Sequence, residues 1–177
     1  MARGDAEGAG EGEVLNNLPA SQISLKSLKS APSAPPRETL RRRWDWPEKL
    51  AAVLKAARSR PFEWGAHDCV LFCAAATEAM CGIDPAAALR GVYKSAAGEV
   101  RAAKRLFGVS TLADLAAALW GEESPPARAR RGDVVLVEAP EGEALGVAAG
   151  APGIAVVTRA GLAFAPARSA RRAWRCG

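Results

Sequence analysis

Two hydrophobic periods divide the chain. From Trp44 onward the apolar residues first recur at helical spacing. Leu50, Val53, Leu54 and Ala57 share one face, behind an N-cap pair of Asp45 and Glu48, and Pro61 closes that helix. Asp68 is a suitable N-cap for a second helix running from Cys69 to about Met80. Asp84-Pro85 predicts a short helical piece, with proline at its first position. Ser95 and Thr111 cap two further helices, the second carrying Asp114 and the stripe Leu112, Leu115, Ala116, Leu119. Pro125-Pro126 breaks the chain, and the period then changes. DVVLVEA (133–139), ALGVAAG (144–150), GIAVVT (153–158) and LAFAP (162–166) are short, apolar and separated by Gly or Pro. They predict a small antiparallel sheet built from hairpins. Helices first and strands second indicate an α+β domain rather than a parallel α/β sheet.

Ahead of this pattern, residues 1–40 are rich in Gly, Ser, Ala, Pro and Glu and carry no long amphipathic stretch. They read as a disordered tail, leaving residues 41–177 as one domain. The formal net charge is +5, a mild excess that suits anionic surfaces without identifying one. The basic clusters Arg41-Arg42-Arg43, Arg128 to Arg131 and Arg168 to Arg172 are scattered, with no interleaved aromatics. They read as solvated surface rather than a nucleic-acid face. No apolar run is long enough for a membrane span, and the N-terminus lacks the apolar core of a signal peptide. Synthesis and retention in the cytoplasm are expected, unless a larger particle carries the protein out. There the four cysteines should remain thiols. Nothing in the sequence calls for a cofactor.

The chemistry concentrates in PFEWGAHDCVLFC, residues 61–73, which holds the only histidine and two of the cysteines. Cys69 admits three readings: nucleophile, metal ligand, or small core residue. A helix N-terminus stabilises a thiolate, and its free amides can hold an oxyanion. The adjacent Asp68 carboxylate opposes ionisation. Buried cysteines otherwise behave as small hydrophobes, the reading given to Cys73 and Cys81. His67, Cys69, Cys73 and Cys81 include the ligand types zinc takes, but their spacing spans three turns of one helix, so no metal site is expected. Trp64 and Gly65 form the turn presenting Cys69, with the indole expected to bury against the sheet.

W-G-x-x-D-C opening a helix, followed by Gly132-Asp133-Val134-Val135-Leu136 opening a hairpin, resembles the NlpC-type papain-like cell-wall endopeptidases. The chain is more closely similar to a phage and prophage family often encoded among tail genes. The shared motifs run from residue 44 to 175: Pro61 to Cys69, Gly82-Ile83-Asp84-Pro85, Gly91-Val92-Tyr93, Gly132 to Val137, Leu145 to Gly150, and Ala173-Trp174-Arg175. The resemblance implies a papain-like fold with Cys69 as nucleophile. It also implies a catalytic histidine early on the second strand, where this chain has Leu145. A leucine moves no proton. The third, polar member of such a triad would fall near Thr158. His67 is the alternative base, and Asp68 and Asp133 are candidate orienting groups.

Two functions follow. One is a tail-associated structural or assembly protein with a degenerate cysteine-hydrolase site, whose partners are virion proteins. The other is an active cysteine peptidase or amidase cutting peptidoglycan peptides through Cys69.

Overall fold

The structure, a computed structural model, describes residues 40–177. The expected tail over 1–40 lies outside the described residues except for Leu40, which is buried in the core rather than free of it. Four helices come first: α1 Trp46–Ala57, α2 Cys69–Cys81, α3 Ala96–Phe107 and α4 Leu112–Trp120. Six strands follow: β1 Glu123–Ser124, β2 Val134–Ala139, β3 Gly142–Gly150, β4 Gly153–Thr158, β5 Gly161–Ala165 and β6 Ala170–Trp174. They form one sheet in the order β1-β6-β2-β3-β4-β5, antiparallel at every pairing. The α+β class read from the sequence is therefore the observed one.

Three helix starts are capped as their sequences dictate. The side chains of Asp68, Ser95 and Thr111 accept the amides of Leu71, Gly98 and Asp114. Asp45 departs from the expectation. Its backbone starts α1, but its carboxylate makes no cap and instead lies near Arg43 and Lys49, at 3.9 and 3.8 Å. Asp84 also departs. Its carboxylate accepts from the Ala86 amide and from Arg90, and the helical piece after it is a single 3-10 turn over Ala87–Leu89.

The sheet buries both faces. Val134, Leu136, Leu145, Val147, Ala155, Val157 and Trp174 join the helices in the main core. The alternate residues Val135, Val137, Ala144, Ile154, Val156 and Ala173 form a second cluster on the other face. The helix α2 packs against α1 and lies on β3 and β4, so its N-terminal cysteine meets the middle of the sheet. Strands β1 and β6 are absent from the sequence reading. ARRAW sets two adjacent arginines ahead of its apolar end, and only Ala173 and Trp174 of β6 are buried. Its place between β1 and β2 comes from pairing across the chain, not from a hairpin. No described helix is long and apolar enough to cross a membrane.

Candidate functional site

Asp68 is where the local sequence becomes a site. Its carboxylate is fully buried. Oδ1 accepts the Leu71 amide at 2.9 Å, and Oδ2 accepts both the Gly65 amide at 2.9 Å and the Tyr93 hydroxyl at 2.7 Å. Three neutral donors thus satisfy one buried charge. Gly65 makes this possible in two ways. Its φ is +73°, and an added Cβ would sit 2.2 Å from the Tyr93 carbonyl oxygen. The Gly91 amide donates to the Gly65 carbonyl at 2.7 Å. The W-G-x-x-D-C and G-x-Y motifs are therefore two halves of one hydrogen-bonded turn.

That turn sets Cys69 against a cavity of about 500 Å³ between helices and sheet. Phe62 and Trp64 form one wall, Glu99 and Ala103 of α3 another, Leu112 and Leu115 of α4 a third, and Ala144, Val157 and Thr158 the sheet side. Trp64 is half-buried rather than sequestered. It meets Phe62 edge-to-face at 4.9 Å and Tyr93 at 6.3 Å, with Arg159 over its ring at 6.0 Å. The cavity keeps part of its indole open, where the sequence placed it against the sheet. The hydroxyl of Thr158 is committed to the Gly161 carbonyl at 3.0 Å.

The electrostatics of Cys69 run against ionisation. Burial pushes its thiol up to about 12, helped by the carboxylates of Glu99 and Asp68. The amides of Leu145 and Val70 aim at the sulfur and work the other way, without prevailing. Leu145 thus meets Cys69 through its backbone, while its side chain is fully buried in the core. Glu99 is the residue sequence reasoning missed. It is half-buried on the cavity wall, and desolvation followed by the Asp68 charge raises its carboxyl to about 7. Its signal in the sequence was ordinary, an acidic residue in the first turn of a helix. Only the packing of α3 over Cys69 distinguishes it.

The other candidates lie elsewhere. His67 is buried, its ring edge-on to Phe72 at 6.2 Å and its Nε2 without a hydrogen-bond partner. It is not on the cavity wall with Cys69. Burial, then Arg60, lowers its pKa against the opposing pull of Asp68. Asp133 belongs to a second polar cluster. It accepts from Arg42 Nη2 at 2.7 Å, the Arg130 amide at 2.8 Å and the Cys176 amide at 3.3 Å. Gly132 beside it has φ +92°, and a Cβ there would press on the Met80 sulfur at 2.9 Å. Cys73 is buried in the core. Among the described residues, no three His, Cys, Asp or Glu side chains come together as a metal site.

No curated protein matches the chain. Residues 41–176 match the family model of DUF6950, a domain of unknown function, and the chain belongs to that family.

Proposed function

We propose that this domain is an NlpC-like, papain-like shell from a phage or prophage tail context that serves assembly rather than hydrolysis. In this reading, virion proteins are its partners and the Cys69 site is degenerate. The tail context rests on the motif resemblance over residues 44–175. The observation that carries the loss of catalysis is Leu145. It holds the position of the expected base, beside Cys69, and presents a buried side chain with no proton to exchange. Glu99 shares the cavity wall with Cys69 and has a raised carboxyl pKa, and it does not rescue the chemistry. Its carboxyl is a far stronger acid than the thiol, so it does not draw the proton from sulfur, and its charge is itself one of the causes that keep the thiol protonated.

The test is incubation of the full chain with purified peptidoglycan and with soluble muropeptides, followed by chromatography of the products. No new product is expected, and Cys69→Ala should behave as the parent does. Release of peptide fragments by the parent, lost in Cys69→Ala, would replace this reading with the active peptidase or amidase.

A further inference from the structure

The far end of α2 carries a second pair of thiols that the cavity does not use. Cys81 is the last residue of the helix and is partly exposed, while Cys176 follows β6 and is fully buried. Their sulfurs lie 3.9 Å apart, in contact across 95 positions of sequence. A disulfide bond is about 2.05 Å long, so about 2 Å of closure would join them. Arg42 frames the pair. Its Nε donates to the Cys176 carbonyl at 2.6 Å, its Nη1 to the Arg131 carbonyl at 2.8 Å, and its Nη2 pairs with Asp133. The Cys176 amide bond to Asp133 is long, at 3.3 Å. The Cys176 sulfur also lies 3.3 Å from the Thr77 hydroxyl, so its single proton is shared between Thr77 and Cys81.

We propose that Cys81 and Cys176 are an oxidation site: peroxide converts them to a disulfide that fastens the segment after β6 to the end of α2. The exposed partner reacts first. The Cys81 thiolate attacks one peroxide oxygen, the O–O bond breaks, and sulfenic acid forms as hydroxide leaves. The Cys176 sulfur then attacks the Cys81 sulfur. The S–O bond breaks, the thiol proton and the departing hydroxide form water, and the disulfide is made. Two thiols lose two electrons and two protons, and one peroxide becomes two waters. The surroundings divide the roles in the same way. The Cys176 thiol hydrogen bond lowers the Cys81 pKa against the effect of burial, with Arg42 adding to the lowering. Cys176 itself is held protonated, first by its bond to Cys81 and then by burial. In a reducing compartment the pair stays open, and in an oxidising one it closes.

The experiment treats the full chain with a small excess of hydrogen peroxide, blocks remaining thiols with N-ethylmaleimide, and maps peptides without reduction. A Cys81–Cys176 linked peptide is expected, two hydrogen atoms lighter than its parts, with Cys69 and Cys73 carrying the label after unfolding. The bridge closes a long loop of the unfolded chain, so Tm should rise by about 5–10 °C and return on adding dithiothreitol. Cys81→Ala replaces a partly exposed helix-end residue, and it should fold while showing neither the link nor the rise. Sulfinic acid on an unlinked Cys81, links between chains, or a Tm rise that survives in Cys81→Ala would overturn the proposal.

Discussion

The two ends of α2 place a cysteine in opposite circumstances. At the N-terminal end the helix dipole and free amides favour a thiolate on Cys69, yet its thiol is pushed up to about 12. At the C-terminal end the dipole disfavours a thiolate on Cys81, yet its pKa is lowered. Neighbours decide both cases. Cys69 is half-buried on the cavity wall beside Glu99 and Asp68, whereas Cys81, half-buried too, has a thiol donor and the Arg42 guanidinium. A helix terminus contributes about 1 kcal/mol to a nearby charge, while desolvation and a close charge contribute several times that. Position at the start of a helix therefore does not make a cysteine reactive.

The glycines at these two ends separate most sharply. Gly65 and Gly82 both have positive φ, +73° and +79°. A Cβ on Gly65 meets the Tyr93 carbonyl oxygen at 2.2 Å, whereas one on Gly82 finds only the tip of Arg43 at 3.9 Å. Gly82→Ala should cost about 1 kcal/mol, the ordinary penalty of a left-handed residue. Gly65→Val should cost more than about 4 kcal/mol, and far more than Cys69→Ser, because the turn it shares with Asp68 and Tyr93 cannot close. Urea unfolding of the three variants measures this. Similar losses for Gly65→Val and Gly82→Ala would remove the role given to the close approach.

The buried carboxylates give the next contrast. Asp133 has a full positive partner in Arg42, 2.7 Å away, with side-chain exposures of 2% and 16%. Asp68 has neutral donors only. Arg42→Ala strands a buried charge, loses the cation–π contact to Trp46 at 4.5 Å, and should cost about 3 kcal/mol. Tyr93→Phe leaves Asp68 its two amide bonds and should cost about 1 kcal/mol. Equal values in denaturant titrations would mean that the Arg42–Asp133 pair is worth no more than one hydroxyl.

What the sequence showed and hid at these ends follows from the range of the forces. Asp68, Ser95 and Thr111 were legible because a cap is settled within four residues. The hairpins from β2 to β5 were legible because each turn joins neighbours. The strand β6 was not, because Arg171 and Arg172 break its apolar pattern and its partners are distant. Arg42 looked like one of three surface arginines, and Leu40 like the end of a tail. Their burial depends on the segment after β6 and on the start of β2. Glu99 looked like any first-turn acid until α3 was set over Cys69. The site is thus half local and half assembled, and only the local half, Trp64 to Cys69, could be read in advance.

Protonation at the cavity gives a smaller effect with a defined sign. In the fold the Glu99 carboxyl titrates near 7 instead of its ordinary 4.5. The native state therefore holds that proton longer than the unfolded chain does, and Glu99 makes stability fall as pH rises from about 4.5 to about 7. His67 acts oppositely. Its lowered pKa favours the neutral ring, so stability falls as pH drops through about 6.5. Glu99→Gln should remove the first trend and keep the second, gaining about 1–2 kcal/mol at pH 8 once the partial exposure of Glu99 is allowed for. Denaturant midpoints from pH 5 to 8 report it. A parent-like decline across that range in Glu99→Gln would place the titrating group elsewhere.

The alkylation rates of the two thiols are the most direct comparison of the ends. At pH 8, roughly one Cys69 in 10,000 is thiolate if its pKa is about 12. Cys81 is shifted below its ordinary value, so its thiolate fraction is much the larger. The more basic thiolate is the better nucleophile, but a Brønsted slope of about 0.5 returns only part of that advantage. Cys81 should therefore react with iodoacetamide at least about tenfold faster than Cys69, read residue by residue by mass spectrometry. Glu99→Gln should narrow the gap from the Cys69 side by removing a like charge. Cys176→Ala should narrow it from the other side by taking away the thiol donor. A Cys69 rate equal to that of Cys81, already level by pH 6, would mean that the dipole and the two amides outweigh burial and the carboxylates after all. The site would then have to be reconsidered as a working nucleophile without a histidine.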